Sequence, residues 1–450
     1  MAETLISVGL DIGTTSSQMI VSELTVENRA SSFAVPELEI ARRNIRYRGK
    51  VHFTPLLDES HVDAAALKKL VEEEYQQAGM QREMVDTGAV IITGETSRRE
   101  NARAVMEILS DFAGDFVVAT AGPDLESVLS AKGAGAVSHS EKTGEKVLHL
   151  DIGGGTSNLS FIEDGKILYT GCLNVGGRLV KVADGMVSYT SPVLAGLTSL
   201  KPGQRAEVPQ LEALADTLVQ ALEMAAGLRE PTELLSRLTT REVETVWKIP
   251  EKGCTISFSG GVADCIGKQY PPFAFGDMGP ILGQAIRKSR LCQGKFMLGQ
   301  ETIRATVIGA GCHSAQLSGS TVFCQNIKFP LKNLPVVSVS HQELPQLEKK
   351  LRQQDTVAMV ALDGLRSPSY RQVSDLASTL ARELGEKPAY LCVTQDMAKA
   401  LGQALALRLG KERPILCIDR VQVRTGSFLD VGAPVGPALP VVVKTLVLER

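Results

Sequence analysis

No two of the eight cysteines in this 450-residue chain form a Cys-x-x-Cys pair, and the six histidines do not cluster with them. Zinc-ligand spacing is therefore missing, and Cys172, Cys254, Cys265, Cys292, Cys312, Cys324, Cys392 and Cys417 read as buried, reduced thiols. No apolar run is long enough to cross a bilayer. The start, Met1 to Gly9, lacks the basic segment of a secretory signal, so a cytoplasmic location with no membrane partner is expected. Charge of one sign is also scarce: 48 Lys and Arg stand against 51 Asp and Glu, a net charge of −3. That balance offers no general argument for nucleic acid as a partner. No G-x-x-x-x-G-K-[ST] phosphate loop occurs, nor the Asp-x-His-x-x-Gly arrangement used by one class of cobalamin proteins. What remains is 44% hydrophobic and 22% charged, a globular composition, and too long for one ordinary core, so two or three domains are expected.

Residues 5–11 are strand-like, and strand character resumes over 18–24 after a turn. Residues 31–54 mix Pro, Arg and β-formers, which suits an inserted subdomain or irregular edge strands. A helix is expected over 62–78, starting near Asp63 and stopping at Gly79. "GAVIITGETSRRENARAV", from Gly88, reads as strand, turn and helix, and "AGPDLESVLSAKGAGAV" as a helix ending among small residues. An amphipathic helix carries Leu211, Leu214, Ala215, Leu218, Val219 and Leu222 on one face. Beyond Thr321, strands near 357–362, 390–393 and 415–418 alternate with helices near 370–384 and 397–409. This is a small α/β unit with part of a parallel sheet, ending in a last strand within "GPALPVVVKTLVL".

One turn occurs twice. "LDIGTTSSQMIV" begins at Leu10, and "LDIGGGTSNLSF" begins at Leu150. Glycines after a strand let backbone N–H groups approach anionic oxygens, and a dinucleotide fingerprint would require a helix directly after them. Here Asn158 to Ile162 alternate polar and apolar, and "EDGK" turns into another strand. The turn therefore belongs to a β-hairpin. Each copy places an Asp at its strand end, Asp11 and Asp151. Two such tips face to face would clamp a polyphosphate. Gly13, Thr14 and Thr15 would serve from one side and Gly153, Gly154, Gly155, Thr156 and Ser157 from the other, with both carboxylates reaching a hydrated Mg²⁺.

This constellation resembles the superfamily of actin, heat-shock ATPases and sugar kinases. In that likeness the two turns are the phosphate motifs, and Ser259-Gly260-Gly261 behind "TISF" matches the adenosine motif. Residues 125–137 and 303–314 match the connecting helices that cross between the domains. The implied fold class is α/β: duplicated actin-like (ribonuclease-H-like) ATPase domains with a nucleotide cleft between them, plus a C-terminal α/β unit. The expected divisions are 1–137, with an inserted segment near 31–82, then 138–320 and 321–450. "IITGETSRRENA", "DFVVATAGPDLESVLSAKGAGA", "CLNVGGRLV", "ETIRATVIGAG" and "LPVVVKTLVL" together resemble the family of ethanolamine ammonia-lyase reactivating factors. The resemblance implies ATP and Mg²⁺ as cofactors and ethanolamine ammonia-lyase as partner. It also implies an action in which damaged cobalamin leaves the lyase so that intact adenosylcobalamin rebinds there, not on this chain. It leaves open a homo-oligomer and association with a bacterial microcompartment.

For the hydrolytic carboxylate the first choice is Asp124, opening the first connecting helix with Glu126; its alternative role is to favour that helix N-terminus. Glu95, after Ile91-Ile92, is the second choice, with helix capping as its alternative. Arg98 and Arg99 read as a phosphate contact or a solvated helical face. His149 and His313 read as packing or hydrogen-bonding residues. Two rival functions share the same clamp: a small-molecule kinase, which would yield a phosphorylated acceptor, and an actin-like filament former, which would pellet with nucleotide.

Overall fold

The computed structural model describes residues 3–13, 16–28, 38–58, 61–93, 105, 117–120, 123–240, 253–313, 315–318, 321–354, 356–421, 423, 427–434 and 439–445. The first sheet contains β1 (Glu3–Ile12), β2 (Ser16–Asn28), β3 (Leu38–Arg48), β4 (His52–Phe53), β5 (Thr87–Ile92) and β6 (Val117–Thr120). Its order is β3-β2-β1-β5-β6, with β4 paired to the start of β2. β1, β2 and β3 form an antiparallel meander, whereas β5 and β6 run parallel to β1. The Arg-rich stretch after residue 31 thus supplies an edge strand, where exposed cationic side chains are tolerated and discourage further pairing. Helix α1 (Ala64–Gln77) starts where Asp63 Oδ1 accepts the Ala66 N–H at 2.9 Å. Its Leu67, Val71 and Tyr75 close the core over Val8, Leu10 and Val90.

Two helices follow, α2 (Pro123–Gly133) and α3 (Ala136–Thr143). The single helix expected over 125–137 is thus interrupted at Gly135, which has φ +82. The second sheet repeats the first. It contains β7 (Val147–Ile152), β8 (Ser157–Glu163) and β9 (Lys166–Leu173) as the antiparallel meander. After a small hairpin, β10 (Val180–Ala183) and β11 (Met186–Thr190), come α4 (Val208–Ala225) and α5 (Glu233–Leu238). Strand β12 (Thr255–Ser259), helices α6 (Gly261–Gly267) and α7 (Gly279–Lys288), and β13 (Phe296–Leu298) complete it. The order is β13-β12-β7-β8-β9, with β12 and β13 parallel to β7 and β12 respectively. Strand for strand this is the order and direction of the first sheet. The buried face of α4, Leu211, Leu214, Ala215, Leu218, Val219 and Leu222, joins Leu148, Leu150 and Phe258 in one core.

Helix α8 (Ala305–His313) returns to the first sheet and lies on β1, β2 and β5, while α2 lies on β8 and β9 of the second. Each helix therefore leaves one sheet and packs on the other, and the two pack against each other. Their approach depends on glycine: a Cβ on Gly309 would strike the Leu129 carbonyl, and one on Gly133 the Ala305 carbonyl.

The rest of the chain builds a third sheet from β14 (Ala315–Leu317), β15 (Phe323–Gln325), β16 (Leu331–Val339), β17 (Met359–Leu362), β18 (Ala389–Val393), β19 (Ile415–Asp419), β20 (Ser427–Val431) and β21 (Pro440–Thr445). Strands β16 to β19 are parallel and consecutive. Helices α9 (Leu347–Arg352), α10 (Tyr370–Leu384) and α11 (Ala398–Leu409) connect them. No helix among the described residues is long and apolar enough to cross a membrane.

Candidate functional site

The two repeated turns are built alike. Gly13 N–H donates to Ser16 O at 2.9 Å, and Gly153 N–H donates to Thr156 O at 2.9 Å. Asp11 faces Gln18 across its hairpin, and Asp151 faces Asn158 across the other. The parallel strand beside each Asp ends in a hydroxyl that donates to it: Thr93 Oγ1 to Asp11 Oδ1 at 3.0 Å, and Ser259 Oγ to Asp151 Oδ1. By register Ser259 stands directly opposite Asp151, whereas Ile91 stands opposite Asp11 and Thr93 lies two residues further on, so the two hydroxyls meet their carboxylates from different positions.

Asp11 and Asp151 are both buried, and their charges act on each other. Burial is the main cause of the rise of Asp11 to about 7, against the hydrogen bond from Thr93 and with the Asp151 charge adding to it. Burial likewise raises Asp151 to about 6, opposed by hydrogen bonds from Ser259 and from Thr306 of α8. A third carboxyl completes the group. Glu126 of α2 is buried, receives the Asn158 Nδ2–H at 3.2 Å, and is raised to about 8 by burial first and then by the charges of Asp11 and Asp151. Three acids from β1, β7 and α2 therefore share one buried space.

His149 lies behind this group, fully buried, with Nδ1 3.1 Å from Ser257 Oγ and Nε2 2.9 Å from Ser259 Oγ. Because Ser259 gives its one proton to Asp151, its oxygen must accept from Nε2–H, and Nδ1 then accepts from Ser257. Burial lowers this imidazole to about 3, so it is neutral and hydrogen-bonding. Of the three residues matched to an adenosine motif, Ser259 thus has its hydroxyl committed to Asp151 and His149.

The structure brings Asp11, Gly13, Asp151, Gly153, Gly154, Gly155 and Thr156 into two facing hairpin tips. Asp124, the first choice for hydrolysis, instead accepts from Thr170 Oγ1 on β9. The acid grouped with Asp11 and Asp151 is its neighbour Glu126, and Thr306 is a further contributor that sequence reasoning did not single out. A signal for Glu126 was present: it shares one helical face with Leu129, Ser130 and Gly133, the face turned inward. Thr14, Thr15, Glu95, Arg98 and Arg99 lie outside the described residues.

The donor set suits a hydrated cation. The three acids are countered in their buried space by hydroxyls and amides, and Gln18 Oε1 and Asn158 Oδ1, on the residues opposite the two aspartates, are buried with no hydrogen-bond partner among the described residues. Either oxygen can accept a hydrogen bond from metal-bound water. Among the described residues no three His, Cys, Asp or Glu side chains form a group that could hold a metal ion directly.

Two sheets of matching topology, exchanged crossing helices and an Asp on each of two facing hairpins define a duplicated actin-like α/β protein with a C-terminal α/β unit. The family described as "Ethanolamine utilisation protein EutA" matches residues 3–449, and the chain belongs to it. Ethanolamine ammonia-lyase reactivase EutA of Salmonella typhimurium is 39% identical over 473 residues, covering 98% of each chain. The protein of the same description from Escherichia coli is 38% identical over 483 residues, also covering 98% of each. A solved PPX-GPPA enzyme of Aquifex aeolicus is similar over 69% of this chain and 90% of its own, at 14% identity and a TM-score of 0.37.

Proposed function

We propose that this chain is an ATPase that reactivates ethanolamine ammonia-lyase, using nucleotide binding and hydrolysis to open the lyase so that damaged cobalamin leaves and intact adenosylcobalamin rebinds. The observation that carries the nucleotide part is the meeting of Asp11, Asp151 and Glu126 between the two glycine turns. Three acids held together in a buried space at the cost of raised pKa values are an arrangement that a cation relieves and that catalysis accounts for. The family membership and the names of the two curated relatives support the lyase as partner.

In this reading Asp11 and Asp151 would hold a hydrated Mg²⁺ through its waters, and Gln18 Oε1 and Asn158 Oδ1 would accept further hydrogen bonds from that shell. Mg²⁺, when bound, supplies charge neutralisation at the phosphate oxygens and lowers the cost of ionising the three acids. Gly13 with Thr14 and Thr15, and Gly153 to Gly155 with Thr156, offer N–H and O–H donors to the phosphates from opposite sides. Gly260 and Gly261 let the backbone lie against the nucleoside. Glu126 orients the attacking water and, in its ionised form, takes its proton. Because α2 and α8 each leave one sheet and lie on the other, a change at the turns alters the angle between the sheets. Different lyase affinities of the two nucleotide states would then drive exchange.

The test uses ethanolamine ammonia-lyase blocked with an inactive cobalamin. The chain, Mg²⁺ and fresh adenosylcobalamin are added with and without ATP, and ammonia release is followed. Recovery only with ATP is expected. Absence of recovery with a matched lyase, despite ATP binding, would refute the reactivation reading.

A further inference from the structure

Each glycine turn is braced from behind by a second segment of its own half. At the first turn, β4 pairs with the strand leaving the turn, with Phe53 opposite Ser16, and Thr54 Oγ1 donates to Gly13 O at 2.7 Å. At the second, Gly177 N–H donates to Gly153 O at 3.0 Å and Arg178 N–H to Gly154 O at 2.7 Å. Gly176 must be glycine there, because a Cβ would strike the Gly154 carbonyl. This brace is the "NVGGRLV" stretch of the sequence.

The two braces meet. The stem of Arg178 lies along Gly154, its Nε donates to Asp277 Oδ2 at 3.0 Å, and its guanidinium carbon sits 5.7 Å from the centre of the Phe53 ring. Phe53 is 76% exposed, so no core demands an aromatic ring there. One cation is thus fixed at Nε beside a turn read as phosphate-binding, with its terminal nitrogens uncommitted to any described hydrogen-bond partner, and its face reaches the opposite half. Guanidinium is the side chain best suited to phosphate oxygens, and its flat face also suits an aromatic ring.

We infer that Arg178 binds the terminal phosphate of the nucleotide from the second turn and, through Phe53, transmits its presence to the first sheet. The inference rests on the nucleotide reading above. An arginine so held distinguishes a nucleoside triphosphate from a diphosphate, because only the former reaches the guanidinium. Its contact with Phe53 then changes with nucleotide state, which couples occupancy to the angle between the halves.

The test is binding of Mg-ATP (as a slowly hydrolysed analogue) and Mg-ADP to the full chain, with X-ray scattering to follow the change in shape. Arg178→Gln keeps the stem on Gly154 and one donor for Asp277 while removing the charge. It is expected to weaken triphosphate binding about tenfold or more and diphosphate binding by less than about threefold. Phe53→Ala, at an exposed position, is expected to keep both affinities within about twofold while reducing the triphosphate-dependent change in scattering. Equal loss for both nucleotides with a lowered melting temperature would show that Arg178 only holds Asp277, and unchanged discrimination would likewise overturn the inference. Should Arg178→Gln fail to fold, a Phe53→Ala protein with the full shape change overturns the coupling. If the unaltered chain binds neither nucleotide, the nucleotide reading itself fails; if it binds both and only the variants behave as wild type, that reading stands and this inference falls.

Discussion

Replacing Glu126 by Gln removes a carboxyl that burial, with the charges of Asp11 and Asp151, raises to about 8. An acid whose folded pKa lies above its unfolded value of 4.5 costs nothing below about pH 4, where both states are protonated. Its cost grows as the unfolded chain releases the proton and is complete above about pH 8. From 4.5 to pH 7 is about 2.5 pH units at about 1.36 kcal/mol each, so in metal-free, nucleotide-free protein the substitution should raise stability by about 3 kcal/mol at pH 7. At pH 5 the gain should fall below about 1 kcal/mol. The amide keeps an oxygen for Asn158 Nδ2 and nearly the same volume, so packing contributes little to the difference. Urea unfolding with a chelator at the two pH values measures it, and ATP turnover by the same variant should drop by about two orders of magnitude or more. A gain of equal size at both pH values, or a loss at pH 7, would refute the placement of Glu126 among the acids. The trade of stability for activity is the usual signature of a functional site.

Asp11→Ala and Asp151→Ala should each cut Mg-ATP hydrolysis at least about 100-fold while the far-ultraviolet circular dichroism stays that of the folded chain. Unchanged turnover in both would remove the proposed clamp. Gly309→Val inserts a side chain where a Cβ already strikes the Leu129 carbonyl, forcing α2 and α8 apart. A loss of about 3 kcal/mol or more in denaturant unfolding is expected, and a loss below about 0.5 kcal/mol would show that the two helices do not depend on this contact. Burial pushes the thiols of Cys265 and Cys392 up to about 12, so at pH 8 they should resist iodoacetamide in the native chain and react once urea is added. Mass spectrometry of the labelled peptides reads this directly; rapid native labelling of both would contradict their burial.

Features set by neighbours in the chain were legible in the sequence. Alternation after Gly155 marks a hairpin and excludes a helix. Asp63 before an amphipathic run predicts the start of α1, and the period of Leu211, Leu214, Leu218 and Leu222 predicts α4 and the face it buries. The repeat of "LDIG" announced a duplicated architecture before any sheet order was known. These signals are local because strand alternation, helical period and caps are properties of consecutive residues. The break between α2 and α3 was less legible, since Gly133 and Gly135 read as the small residues at the end of one helix.

Tertiary structure decided what distant residues do to one another. Asp124 and Glu126 are two acids in the same helical turn, and only the placement of α2 against β8 and β9 turns Glu126 toward Asp11 and Asp151 while Asp124 meets Thr170. The motif around Ser259 gave no sign of its hydroxyl's partners; the pairing of β12 with β7 sets it beside Asp151 and His149. Phe53 and Arg178 carry no common local signal at all, being joined only because two braces from separate sheets converge. A raised pKa or a contact across two sheets depends on distance and dielectric in the folded chain, which no periodicity along the sequence encodes.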